Sequence, residues 1–97
     1  MLLYLYHQNK AMYKVEFSKK AVKSIKKIAK NYQALILSKI DELAKNPFEN
    51  NNVKAMKGTD KVYRLRVAEY RIVYEMKDAE LIILIIEIDH RKNIYKK

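Results

Sequence analysis

The chain has 97 residues, 49% apolar and 33% charged, with 21 Lys and Arg against 11 Asp and Glu for a formal net charge of +10. That length supports one small domain with a real core, and the composition excludes a disordered polyelectrolyte. With no Cys and only two His, there is no disulfide framework, no thiolate nucleophile and little with which to build a metal centre. No apolar run reaches the ~18 to 20 residues of a membrane span, so a soluble protein of the reducing cytoplasm, with no cofactor and no membrane partner, is expected. So large a positive surplus repels itself in the folded state and implies a polyanionic partner. Charge by itself admits nucleic acid, an acidic protein or an anionic membrane surface, of which the first two are favoured.

In chain order, Met1 to Met12 carries an apolar patch from Leu2 to Tyr6 without a basic leader, too short for a signal-peptide core. Export is not expected, His7 is read as uninvolved, and residues 1–12 are taken as an extension preceding a single domain at 13–97. Tyr13, Val15 and Phe17 alternate with Lys14 and Glu16, the pattern of a half-buried strand. Ser18 is placed as a helix N-cap. From Lys19 to Lys30 the apolar positions Ala21, Val22, Ile25, Ile28 and Ala29 recur at three and four, continuing to Tyr32. The opposite face carries Lys19, Lys23, Lys26 and Lys30, flanked by Lys20 and Lys27. Like charges four apart disfavour a helix slightly, so this run is either a solvated face or a docking stripe for RNA or an acidic partner.

A second helix is expected over Tyr32 to Lys45, with Leu35 or Ile36, Ile40, Leu43 and Ala44 inward, stopping at Asn46-Pro47. The two helices would form an antiparallel hairpin. Asn46 to Asp60, with three consecutive Asn and the single Gly at position 58, reads as one long loop carrying Lys54 and Lys57.

Tyr63, Leu65 and Val67 share a face with Tyr70, Ile72, Tyr74 and Met76 when the chain folds back about Ala68 and Glu69. The other face then carries Arg64 and Arg66 on the first strand and Arg71 with Glu75 on the second, with Arg66 directly opposite Arg71. Like charges across a ladder cost ~0.2 to 1 kcal/mol, so the pair implies a solvated face or an anion held there. Ala-Glu is not the Asn-Gly or Gly-X of a favoured two-residue turn, and a longer loop or bulge would shift this register. Leu81 to Ile86 is apolar without alternation, which predicts a strand buried on both faces at the centre of the sheet. After Ile88 comes the polar, basic tail beginning Asp89, His90, Arg91, Lys92 and containing Tyr95.

The predicted order is β-α-α-β-β-β, an α+β domain with a helical hairpin on one face of a small, largely antiparallel twisted sheet. Arg64, Arg66 and Arg71 then line the open face. No Gly-rich phosphate loop, HExxH, paired carboxylates or Ser/His/Asp set is present. A cationic face with one imidazole and one phenol suits metal-free RNA cleavage, in which the ribose 2′-hydroxyl attacks the adjacent phosphate and Arg and Lys stabilise the added charge. His90 is the natural proton carrier, imidazole being the side chain that changes charge near neutral pH. Its alternative is a structural role at a strand end. For Arg66, Arg71 and Arg91 the alternative to phosphate binding is ion pairing with Glu75, Glu87 or Asp89, and Tyr63, Tyr70 and Tyr74 are read as core.

YKVEFSKKAVKSIKKI, then KNPF, MKG, YRLRVAEYRIVYE and HRKNIY, in this order and spacing, resemble the RelE/ParE superfamily of type II toxin–antitoxin toxins from Tyr13 to Tyr95. The resemblance implies a bacterial or archaeal cytoplasmic toxin neutralised by an acidic antitoxin. For RelE-type members it implies metal-independent cleavage of mRNA in the ribosomal A site, with mRNA and rRNA as partners. It matches Lys57 to a lysine near the scissile phosphate, Arg66 to a phosphate-stabilising arginine, Arg91 to a phosphate ligand or general acid, and Tyr95 to a tyrosine orienting the substrate. His90 fits the same tail and would share the proton work, while Lys54, Arg64, Arg71 and Lys92 are expected to bind RNA phosphates. The departure is Ala55, where RelE-type relatives can carry a second lysine; Lys54 is adjacent. ParE-type relatives poison DNA gyrase instead, and a degenerate toxin would only bind its antitoxin.

Overall fold

The computed structural model describes residues 13–48, 52–56, 58 and 61–90. Expectations for residues 1–12 therefore lie outside the described residues. Five strands and two helices follow one another as β1 (Lys14–Phe17), α1 (Lys19–Lys26), α2 (Lys30–Lys45), β2 (Val53–Ala55), β3 (Val62–Val67), β4 (Tyr70–Lys77) and β5 (Ile82–His90). The strands form one sheet in the order β1-β5-β4-β3-β2, with β1 parallel to β5 and the remaining pairs antiparallel. Both helices pack on the sheet, giving the two-layer α+β architecture expected.

Local chemistry accounts for most element ends. Ser18 caps α1, its Oγ accepting the Ala21 N–H at 3.0 Å. The helix is shorter than its apolar period suggests. It ends at Lys26 because the chain tightens into i to i−3 bonds, Lys27 N–H to the Ser24 carbonyl and Ile28 N–H to the Ile25 carbonyl, both 3.1 Å. Gln33 Nε2 then donates to the Ile28 carbonyl at 2.9 Å, satisfying a backbone group at the link into α2. Ile36, Ile40, Leu43 and Ala44 of α2 are buried. That helix stops as expected at Asn46, which sits at φ −143° and ψ 71°, outside the helical region that the following Pro47 disfavours.

The stretch expected as one long loop contains β2, paired with β3 at the sheet edge. Three residues offer too little alternation to announce a strand, and short edge strands of this kind limit unwanted pairing. The β3–β4 hairpin holds the expected register, Arg66 opposite Arg71 and Val67 opposite Tyr70. Its two-residue turn puts Ala68 at φ +53°, a left-handed conformation that suits Gly.

For β5 the expectation is corrected. It lies second from the edge, between β1 and β4, and β4 is the middle strand. Nor is it buried on both faces. Ile83, Ile85 and Ile88 are buried, while Ile82, Leu84 and Ile86 are only partly so. The apolar run conceals a break in register, since Val73 pairs with Glu87 and Tyr74 with Ile85, so Ile86 has no opposite number. The extra residue reverses the alternation: buried positions are two apart before it and three apart across it. The Ile86 carbonyl is held by the Ser18 hydroxyl, which donates to it at 2.7 Å.

One apolar cluster joins Ala21 of α1 and the inner face of α2 to Leu65, Val67, Ile72, Tyr74, Met76, Ile83, Ile85 and Ile88 of the sheet. Fully burying side chains of this size stabilises the fold by ~1.5 to 3 kcal/mol each, an upper estimate against a compact unfolded chain. The arginines project from the other face.

Candidate functional site

Two cross-strand rows define that open face. In the first, Arg66 of β3 stands opposite Arg71 of β4, and Arg71 opposite Asp89 of β5. In the second, Lys54 of β2 stands opposite Arg64, Arg64 opposite Val73, and Val73 opposite Glu87. Neighbouring strands lie ~4.8 Å apart, so Lys54, Arg64, Arg66 and Arg71 fall within a patch roughly 10 Å across. Lys54 and Arg66 are exposed, and Arg64 and Arg71 are partly buried.

Among the described residues, none of Arg64, Arg66 and Arg71 makes an ion pair. Surface pairing, the bland alternative for these arginines, is not seen among the described residues. Glu87, a candidate partner, pairs instead with Lys20 of α1 at 3.3 Å. Asp89 accepts the His90 backbone N–H at 2.8 Å. The Arg66–Arg71 opposition thus persists at its cost of ~0.2 to 1 kcal/mol, which a bound anion would offset. Guanidinium forks match phosphate oxygens in a bidentate manner.

His90 does not join this row. It lies opposite Tyr70, on the side of the sheet where the helices pack, and its ring meets Tyr70 edge-on at 5.0 Å and 83°. Tyr70 in turn lies 5.6 Å from Tyr32 of α2. The register break at Ile86 is the cause, because it turns Asp89 toward the arginines and His90 away from them. Tyr63 and Tyr74 stack at 5.7 Å, with Tyr74 fully buried, in keeping with their core reading. Lys57, Arg91, Lys92 and Tyr95 lie outside the described residues.

Strand alternation separates Lys54 from its neighbour Ala55. Lys54 shares the arginine face, whereas Ala55 stands opposite Tyr63 and so belongs to the other. Lys20 is the participant that sequence reasoning did not connect with the site, since nothing local signals its approach to Glu87. No three His, Cys, Asp or Glu side chains among the described residues stand close enough to hold a metal ion. None of the described helices is long and apolar enough to cross a membrane. The arrangement is an open cationic surface that can hold a phosphodiester and stabilise charge developing on it.

Residues 15–95 match a family model described as the ParE toxin of a type II toxin–antitoxin system, parDE. The chain is 31% identical over 86 residues to a protein of Methanocaldococcus jannaschii described as toxin RelE1, covering 87% of this chain and 96% of that protein. Among solved structures, it is similar to an archaeal RelE–RelB complex from Pyrococcus horikoshii, with TM-score 0.73 and 26% identity over 82% of this chain and 96% of that one. A RelB–RelE antitoxin–toxin complex from Methanococcus jannaschii matches with TM-score 0.69 and 30% identity, over 82% and 94% of the two chains.

Proposed function

The chain belongs to the RelE/ParE superfamily of type II toxin–antitoxin toxins, and from that premise we propose that it is an endoribonuclease that cleaves mRNA in the ribosomal A site. The observation that carries the reading is the Arg66–Arg71 opposition, with no ion pair on either arginine among the described residues, on a face that also holds Lys54 and Arg64. Among the described residues this face carries no Ser, Thr or Cys, and an RNA substrate can supply the nucleophile itself. RNA does so through its 2′-hydroxyl, whose oxygen attacks the adjacent phosphorus as the bond to the 5′-oxygen breaks. Arg66, aided by Arg71, stabilises the extra negative charge of that transition state, a role that cationic side chains fill without a metal.

Lys57 near the scissile phosphate, Arg91 as phosphate ligand or general acid, and Tyr95 as substrate-orienting residue rest on the sequence resemblance. Lys92 and Arg64 would bind flanking phosphates. Lys54, on the arginine face where Ala55 is not, is the lysine available to activate the 2′-hydroxyl. His90, packed on Tyr70, acts in cleavage less directly than its tail position suggests. The partner that silences the toxin would be an acidic antitoxin, in keeping with the net charge of +10 and with relatives solved together with RelB.

A second reading is favoured by the family model itself, whose description is of ParE toxins. On that reading the target is DNA gyrase. A binding-only toxin is the third, should the Ala55 departure have removed activity.

Purified protein incubated with a defined mRNA, free and on programmed ribosomes, with cuts mapped by toeprinting, separates these readings. Ribosome-dependent A-site cuts are expected. Arg66→Gln should slow them by about 10²-fold, the scale of losing one group that stabilises transition-state charge. His90→Gln should slow them by less than about tenfold, since its ring faces away from the arginines. Cuts that survive Arg66→Gln would mean the site is misassigned. Absence of cuts from folded protein, with gyrase inhibited, would favour the ParE reading, and absence of both the binding-only one.

A further inference from the structure

The row that crosses the open face through Arg66 and Arg71 ends on a carboxylate, Asp89 of β5, which the cleavage chemistry above does not use. Phosphate binding gives it no role, since a negative charge beside Arg71 repels the anion that the arginines attract. Nor is it the counter-ion of Arg71, for no ion pair joins the two among the described residues. Asp89 Oδ1 accepts the His90 backbone N–H at 2.8 Å. A carboxylate offers about four lone-pair sites, so accepting one bond orients the group without exhausting it. Other carboxylates of the sheet are placed less well. Glu87 is paired with Lys20 at 3.3 Å. Glu75 lies four residues along β4 from Arg71, about 13 Å at the rise of a strand, and Glu16 shares its row, both standing opposite Leu84. Glu69 belongs to the hairpin turn, beyond the last ladder pair of Val67 and Tyr70.

We infer that Asp89 is the general base of the cleavage, taking the proton of the 2′-hydroxyl whose oxygen attacks the phosphate held by Arg66 and Arg71. The inference rests on the reading of the chain as a ribonuclease and supplies the proton acceptor that reading needs. As the 2′-oxygen forms its bond to phosphorus, its proton passes to the Asp89 carboxylate. The bond from phosphorus to the 5′-oxygen breaks, and that oxygen takes a proton from an acid of the site or from water. The products are a 2′,3′-cyclic phosphate and a 5′-hydroxyl, and nothing is oxidised or reduced. Neighbouring strands lie ~4.8 Å apart, which puts Asp89 one strand from Arg71 and two from Arg66, in reach of a ribose whose phosphate lies on the arginines. In-line displacement sets the 5′-oxygen opposite the 2′-oxygen, so the RNA lies with its 2′-oxygen toward β5 and its leaving group toward β3. Lys54 of β2 is three strand spacings from β5, at the other end of the face. An amine must also shed its own proton before it can take another, whereas carboxylates are ionised at neutral pH. Among the described residues, the charged groups around Asp89 are Arg71, Arg66 beyond it, and Glu87 two residues back on β5, paired with Lys20 of α1. Strand β1 contributes none, since it ends at Phe17, opposite Ile85.

The test is single-turnover cleavage of mRNA on programmed ribosomes by the full-length parent, Asp89→Asn and Arg66→Gln, from about pH 6 to about pH 8, where carboxylates are ionised and amines are protonated. Asparagine keeps an oxygen for the His90 N–H, so the fold is retained, and equal melting temperatures check this. At neutral pH Asp89→Asn should cut at least about 10²-fold more slowly, the scale of a positioned general base. With no base in place hydroxide must take the proton, so the rate of this variant should rise about tenfold per pH unit while that of the parent stays nearly level. Arg66→Gln should be slow throughout and keep the level profile of the parent. On ribosomes whose A-site codon carries a 2′-deoxynucleotide at the cut, which cannot react, Asp89→Asn should bind as tightly as the parent or more so. Cutting by Asp89→Asn at the parent's rate would overturn the inference and leave the ribonuclease reading standing. So would a slowed variant with the parent's pH profile, which would make Asp89 a group that only positions Arg71. A parent rate that itself climbs about tenfold per pH unit would also overturn it, returning the step to Lys54. If folded parent cuts nothing, the ribonuclease reading fails and the inference with it.

Discussion

Ser18 shows how much one hydroxyl can decide. Its Oγ accepts the Ala21 N–H and donates to the Ile86 carbonyl, while its own N–H donates to the Ile85 carbonyl at 2.9 Å. One residue thereby starts α1 and ties it to the bulged turn of β5. Ser18→Ala removes both side-chain bonds. A lost cap and a carbonyl left without its donor together cost about 2 kcal/mol, which in a domain of this size lowers the melting temperature by roughly 10 °C. Ser18→Thr, which retains the hydroxyl, should recover most of that loss in the same melting experiment. An unchanged melting temperature for Ser18→Ala would show that the helix and the bulge hold each other without it.

Among the elements, the β3–β4 hairpin carries the site and also a local strain. Its register sets Arg66 against Arg71, and the tight two-residue turn that enforces this register bends Ala68 to φ +53°. A Cβ in that region costs about 1 kcal/mol, which Gly escapes at some expense in unfolded-chain entropy. Ala68→Gly should therefore stabilise the protein by about 0.5 kcal/mol, raising the urea midpoint without altering the slope of the transition. A lower midpoint would mean that Gly loosens the hairpin more than it relieves the turn. The other end of β4 uses similar backbone freedom: after a short 3-10 turn at Asp78–Glu80, Leu81 takes φ +54° and leads into β5. Exposed Leu81 therefore belongs to the turn, and the strand begins one residue later than its apolar run.

At the scale of the whole molecule, the buried large apolar side chains among the described residues form one cluster between the helices and the sheet, and the phenols set within it bind the fold to pH. Burial pushes the Tyr74 hydroxyl far above its ordinary range, with the neighbouring Tyr63 adding to the shift. Tyr13 is raised first by burial and then by its hydrogen bond to Asp78, donated at 2.9 Å, and by that carboxylate's charge. Below about pH 10 both phenols are protonated in the folded and the unfolded chain, so their full stabilising contribution is present. Above it the unfolded phenol ionises while the folded one stays protonated, and stability falls as pH rises toward the folded value. Lysine deprotonation relieves self-repulsion over the same range, so the clean measurement is a difference. The urea stability of the parent minus that of Tyr74→Phe should decline between about pH 9 and pH 11, with a slope approaching roughly 1.4 kcal/mol per pH unit at the alkaline end. A flat difference would mean that Tyr74 ionises as readily in the folded protein as in the unfolded one.

What the sequence determined by itself is what short-range chemistry encodes. The period-two pattern of Tyr63 to Met76 separated arginines from core, Ser18 announced a cap, and Asn46-Pro47 ended a helix, because each depends on neighbours a few residues away. The α+β class followed from the succession of those patterns. Pairing across the chain required the tertiary structure. The three residues of β2 become a strand only because β3 offers them a partner, and β5 is internal only because β1 returns beside it. Six consecutive apolar residues hide the extra one at Ile86, yet that single residue reverses the faces of everything after it in β5. His90 accordingly meets Tyr70 and leaves Asp89 beside the arginines, while Lys20 crosses from α1 to Glu87. Register and contact between distant segments are properties of the packed sheet, since a one-residue slip moves every later side chain to the opposite face without altering any local preference.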